Sequence, residues 1–144
     1  MDTSSLPEGM HEFQNAYLHL VVDEATRLLY SEWVQRPNSE EYREAASIFA
    51  AYLRERDIKF WIQDTNRLGE VPAQNLKEAL QMLVPVAVAS GLKKLARITT
   101  DDRSMAAFMA LASESKAQLK AGIEVRQFRT YREAAEWIWG TQPC

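Results

Sequence analysis

The stretch IKFWIQD, Ile58 to Asp64, decides how the rest of this chain is read. Its β-branched and aromatic residues make a strand. Asp64 then opens a polar loop, TNRLGEVP, that ends at Pro72. From about Ala73 the apolar residues Leu76, Ala79, Leu80 and Leu83 fall on one helical face, so the loop feeds a helix over AQNLKEALQMLVPVAVAS. Pro85 lacks the N–H that the preceding turn needs, and is expected to kink that helix or split it in two. Gly91 suits its C-cap. Strand, loop and helix are half of a β-α-β unit, and the pattern recurs in both directions.

Upstream, AYLHLVVD (Ala16–Asp23) and RLLYSEW (Arg27–Trp33) read as two strands joined through the turn EAT into a hairpin. QRPN breaks the second. Asn38 or Ser39 then caps a helix with Glu40 and Glu41 in its first turn, where the helix dipole favours acids. Tyr42, Ala46, Phe49 and Leu53 form its apolar stripe. Downstream, KKLARITT (Lys93–Thr100) is a fourth strand. A third helix follows over DDRSMAAFMALASESKAQLK, with Asp101 as N-cap and Gly122 past its end, and Ile123–Phe128 is a fifth strand. Thr130 and Glu133 have capping-box spacing before a final helix, YREAAEWIW, stopped by Gly140.

The expected fold is therefore α/β: a single mixed, mainly parallel five-stranded sheet with about four helices, in the order β-β-α-β-α-β-α-β-α, with right-handed crossovers. Residues 1–14 are expected to be a flexible tail, 15–140 a single domain and 141–144 a C-terminal tail.

Composition narrows the function. A length of 144 residues suits one domain with a real core. With 17 basic and 20 acidic residues the net charge is −3, which gives no support to nucleic-acid binding. The only cysteine is Cys144 and the only histidines are His11 and His19, so neither an intrachain disulfide nor a zinc site is expected. The longest apolar run, Met82–Ala89, is broken by Pro85 and far short of a membrane span. The first residues lack the basic start and apolar core of a secretory signal, which makes the cytoplasm the expected compartment.

The last third carries a resemblance. Val125–Phe128 followed by Ala135–Ile138, after GLKKLARITTDD, resembles the SpoIIAA-like, STAS-type domains, and the element order agrees over roughly residues 15 to 140. The resemblance implies a compact regulatory or interaction module, commonly without known activity. In the anti-sigma-factor antagonists of that family a phosphorylatable Ser follows an Asp at the end of the central strand. Here Asp64 stands in that place with Thr65 as the nearby hydroxyl, but the Asp-Ser turn is missing.

Three groups of residues are candidates for a site. Asp64, Thr65, Asn66 and Arg67 form a switch or ligand loop. Thr99, Thr100 and Asp101 lie at the same carboxyl edge of the sheet, where parallel folds bind ligands. Turn formation and helix capping account for most of these residues without any ligand. The third group comes from strand alternation. Leu18, Leu20, Val22, Ile58, Phe60 and Ile62 read as core, leaving Tyr17, His19, Val21, Lys59, Trp61 and Gln63 opposite. Strands buried on both sides should be nearly continuous aliphatics. These are not, so a partner surface including Tyr17, His19 and Trp61 is expected.

The motifs of nucleophilic, phosphate-binding and zinc-hydrolase sites do not occur. The expected function is a non-catalytic regulatory or protein-interaction module that associates with itself or another protein, with no cofactor or metal. The alternatives are a small-ligand or lipid-binding domain, whose cavity the LQMLVPVAVA helix would line, and a phospho-switched antagonist using Thr65.

Overall fold

Asn15 begins the architecture by turning the chain back on itself. Its side-chain oxygen accepts from the backbone N–H of Tyr17 at 3.0 Å and of Leu18 at 2.8 Å, an Asx-type turn that joins two antiparallel strands. The computed structural model of the chain describes residues 9–69, 71–100 and 123–140. Within them run β1 (Met10–Gln14), β2 (Leu18–Asp23), β3 (Leu28–Trp33), α1 (Ser39–Glu55), β4 (Phe60–Asp64), α2 (Ala73–Ser90), β5 (Lys94–Ile98), β6 (Glu124–Phe128) and α3 (Tyr131–Trp139). The six strands form one sheet in chain order. β1, β2 and β3 pair antiparallel, and β3 to β6 pair parallel. The described fold is thus α/β with a mixed, mostly parallel sheet, in the order β-β-β-α-β-α-β-β-α.

One expectation is corrected here. Met10–Gln14, placed in the flexible tail, is a strand, so the sheet has six strands rather than five. Its inward side chains are His11 and Phe13: Phe13 packs on the core, and His11 Nε2 lies 2.6 Å from the Tyr52 hydroxyl on α1. Of the two outcomes expected at Pro85, a kink or a split, the split is absent: α2 runs as one helix from Ala73 to Ser90. Pro85 and Gln81, whose carbonyl loses its usual donor, are both exposed, where an unpaired carbonyl costs little. The third expected helix, with Asp101 and Gly122, lies outside the described residues, as do residues 141–144.

Local chemistry sets the helix ends. Asn38 Oδ1 accepts from Glu41 N at 2.7 Å, and Glu41 Oε1 accepts from Asn38 N at 2.9 Å, a reciprocal box at the start of α1. Asn38→Ala should cost about 1 kcal/mol, read as a lower urea midpoint at unchanged slope. Gly91 and Gly140 end α2 and α3 in the left-handed conformation, at φ 82° and 60°, which glycine adopts without a Cβ clash.

The helices cover both faces. α1 and α2 pack together over one face, on Leu18, Leu20 and Val22 of β2, Leu29 of β3 and Trp61 of β4. α3 packs on the other, placing Ala134 and Ile138 against Leu28, Ile62, Ala96 and Ile98. Leu18, Leu20, Leu29, Ile62 and Ala96 are fully buried. No helix among the described residues is long and apolar enough to cross a membrane.

Candidate functional site

Pairing register places a polar row across the face that α1 and α2 cover. Ser31 of β3 stands beside Gln63 of β4, Gln63 beside Arg97 of β5, and Arg97 beside Gln127 of β6. The row two residues earlier is wholly apolar: Leu29, Trp61, Leu95 and Val125. Parallel strands alternate side chains with a period of two, so one polar residue at the same register in each strand builds a polar line inside an apolar layer. Ser31 is fully buried and its Oγ accepts from Trp61 Nε1 at 2.9 Å. Gln127 donates from Nε2 to the Thr99 carbonyl at 3.4 Å.

The middle two members of that row, Gln63 and Arg97, line a cavity of about 80 Å³ between the sheet and the helices. Trp33, Trp61 and Leu95 complete its floor. Tyr42, Ala46 and Phe49 of α1 and Leu80, Val84 and Ala87 of α2 belong to its roof. Arg97 is the one charged residue among the described lining residues. Its residue surface is only 5% exposed, and burial pulls its guanidinium down to about 10. It is therefore still a cation at neutral pH. The Tyr42 hydroxyl is pushed up by burial, an effect the neighbouring Arg97 charge partly offsets.

Aromatic contacts link the wall residues. Trp33 stacks between Tyr17 at 6.3 Å and Tyr42 at 5.8 Å, with Phe49 edge-on at 6.3 Å. Phe49 in turn meets Trp61 at 4.8 Å. The Trp33 indole Nε1–H is buried with no acceptor among the described residues. Natural cores leave few such groups, so each one is informative.

The three residues expected at a partner surface are not brought together. Trp61 is 4% exposed under α1, and Tyr17 is equally buried, its hydroxyl donating to Glu44 of α1. Burial, with the Glu44 hydrogen bond second, pushes the Tyr17 hydroxyl up to about 12. His19 lies on the opposite face, with Nε2 2.6 Å from Glu12 Oε2 and Nδ1 3.2 Å from Glu32 Oε2. The three residues are thus divided between two faces, and two of them belong to the core. Among the described residues no group of three acidic, His or Cys side chains is placed to hold a metal ion.

The loop and edge candidates do come together, and they hold one another. Thr65 N and Oγ1 both donate to the Ile98 carbonyl, at 2.9 and 3.0 Å. Asp64 Oδ1 accepts from Asn66 N at 2.9 Å, and Asn66 Oδ1 accepts from Thr100 N at 3.1 Å. Arg67 Nη1 reaches the Val34 carbonyl at 3.5 Å, and Thr99 N donates to the Phe128 carbonyl at 2.9 Å. This edge ties β4, β5 and β6 together. Asp101 lies outside the described residues.

Reading strand by strand missed Gln63, Arg97 and Tyr42 as a group. The signal was present as Ser31 in LLYSEW, Gln63 in FWIQD, Arg97 in KLARI and Gln127 in EVRQF, but each strand carries other polar residues and only the register brings these four into line. Comparison with protein-family models, with curated proteins and with solved structures finds no match to this chain.

Proposed function

We propose that this domain is a non-catalytic binding module whose ligand is small and largely apolar, held between the sheet and the α1/α2 layer. The observation that carries this reading is the cavity: an aromatic and aliphatic enclosure with Gln63 and Arg97 converging on it. Apolar pockets with a few convergent polar groups are the usual form of small-molecule sites, whereas ordinary cores are packed with few voids larger than a water molecule. Its volume suits a single ring or a short chain rather than a lipid tail. Burial of Tyr17 and Trp61 also favours a ligand over a partner surface built from those rings. The STAS-type likeness of the C-terminal strand and helix fits a sensing or regulatory module without catalysis.

The test is to fill the space. Ala79 is a nearly buried α2 residue in the lining. Ala79→Leu should stabilise the free protein by roughly 0.5–2 kcal/mol, the usual gain from filling a cavity. It should also remove the rise in thermal midpoint that small ring compounds, such as benzoate and benzyl alcohol, give the unaltered protein. If no such compound raises the midpoint or changes Trp fluorescence, and Ala79→Leu is destabilising, the space is ordinary packing and the reading falls.

A further inference from the structure

Resting on the cavity as a ligand site, we infer that its ligand is a small neutral carbonyl compound whose oxygen accepts from the Trp33 indole N–H. Trp33 is 3% exposed, and its Nε1–H has no acceptor among the described residues. Trp33 also lines the cavity. Tyr17 and Tyr42 stack on its flat faces, so the indole rim, which carries the N–H, is what it has left to offer the space. Phe49 lies at right angles to it with centroids 6.3 Å apart, and a π face is a far weaker acceptor than an oxygen. The second indole in the wall is already satisfied, Trp61 Nε1 donating to Ser31 Oγ at 2.9 Å. An indole has one donor and no acceptor, so the atom that completes Trp33 is an acceptor.

Desolvation narrows the class further. Arg97 already has an interaction of its own, so its charge is no ground for expecting an anion. An ionised ligand would leave water for a wall of mostly aromatic and aliphatic side chains, at a large cost. A hydroxyl or amide ligand brings a donor of its own, and a buried donor needs an acceptor in turn. A carbonyl oxygen brings none. The bond from Trp33 satisfies it, and Gln63, also in the lining, can turn its amide to supply a second. The rest of the ligand, a small ring or a short chain, meets Phe49 and Leu80.

The experiment titrates the whole chain with cyclohexanone, cyclohexanol and methylenecyclohexane, the last having a CH₂ in place of the ketone oxygen at nearly the same shape. Thermal shift and calorimetry give affinities, and proton–nitrogen NMR follows the four indole N–H signals. Cyclohexanone should move the Trp33 signal downfield. Methylenecyclohexane should bind without doing so, and the Trp61 signal should move far less with either. Trp33→Phe should weaken cyclohexanone binding roughly three- to tenfold, the scale of one neutral hydrogen bond, and leave methylenecyclohexane within about twofold. A Trp33 signal that ketone and hydrocarbon move alike, or that neither moves although both bind, would overturn the carbonyl assignment and leave the small-ligand reading standing. So would a water cross-peak that persists at the Trp33 N–H in the ketone-bound protein. Cyclohexanol binding more tightly than cyclohexanone would overturn it in favour of a hydroxyl ligand. No binding by any of the three would defeat the small-ligand reading itself, and the carbonyl assignment with it. Should Trp33→Phe fail to fold, the NMR comparison on the unaltered protein decides.

Discussion

Trp61→Ala should lower the stability of the folded chain by about 3–5 kcal/mol, the range for removing a buried aromatic ring. Such a loss is a large share of the 5–15 kcal/mol that holds a typical domain folded. Three contributions add. The ring leaves a hole beside a cavity that already exists, so the neighbours have little reason to close it. Phe49 loses its ring contact at 4.8 Å. The buried Ser31 hydroxyl loses the indole donor at 2.9 Å, the kind of loss that costs more than the bond itself contributed. Trp61→Phe narrows these terms, because it keeps a six-membered ring while removing the N–H and the pyrrole part of the indole; it should cost about 1–3 kcal/mol. Trp139→Ala supplies the contrast. That ring is 44% exposed at the end of α3, touching Phe60 edge-on at 5.3 Å, and its loss should stay within about 1 kcal/mol. Urea unfolding by far-UV circular dichroism measures all three. A Trp61→Ala protein of near-normal stability would mean that the ring is not part of the monomer's core, and would restore the partner-surface reading.

Strand IKFWIQD shows what alternation carries and what it does not. Its propensity and length marked it as a strand, and the loop and helix after it were legible from turn residues and period. Trp61, however, shares its parity with Lys59 and Gln63, which made that side look polar. In the fold those two neighbours have separate reasons to be there. Lys59 precedes β4 and donates to the Ser90 carbonyl at 3.1 Å, and Gln63 faces the cavity. Trp61 between them is core. A strand covered on both sides carries two burial patterns at once, and a polar residue reserved for a cavity looks the same in one dimension as a solvent-facing one.

The missed strand and the missed site have related causes. Met10–Gln14 offers Phe13 as its one large apolar inward residue, while its other inward side chain, His11, bonds to Tyr52 forty-one positions away. A pairing that depends on a distant helix leaves little local trace. Arg97 shares KLARI with Lys94, so in one dimension it passes for another surface basic residue. Its meaning comes from Gln63 and Tyr42, which reach it only after β4, β5 and α1 are assembled. Caps behave in the opposite way: Asn38 with Glu41, and Thr130 with Glu133, act within four residues and were visible before any fold was known.

Thr65→Asp should destabilise the chain by about 3 kcal/mol or more, and Thr65→Val by only about 1 kcal/mol. The difference bears on whether this loop can work as a phosphorylation switch. Thr65 is 6% exposed, and its hydroxyl and its backbone N–H converge on one acceptor, the Ile98 carbonyl. Valine keeps the shape and forfeits one modest hydrogen bond. Aspartate replaces a donor with an anion aimed at a carbonyl oxygen, so it must either desolvate unpaired or pull the end of β4 away from β5. A phosphoryl group, with more charge and more bulk, faces the same choice more severely. A kinase would also need the hydroxyl in the open, which requires breaking its bond to the Ile98 carbonyl and bringing a buried side chain out before any transfer. The expected result is therefore that mass spectrometry of the folded protein, incubated with broad-specificity kinases, finds Thr65 unmodified while the same residue in a denatured peptide is modified. Stoichiometric modification of the folded chain, or a Thr65→Asp protein as stable as Thr65→Val, would show that this edge opens readily and would return the loop to candidacy as a switch.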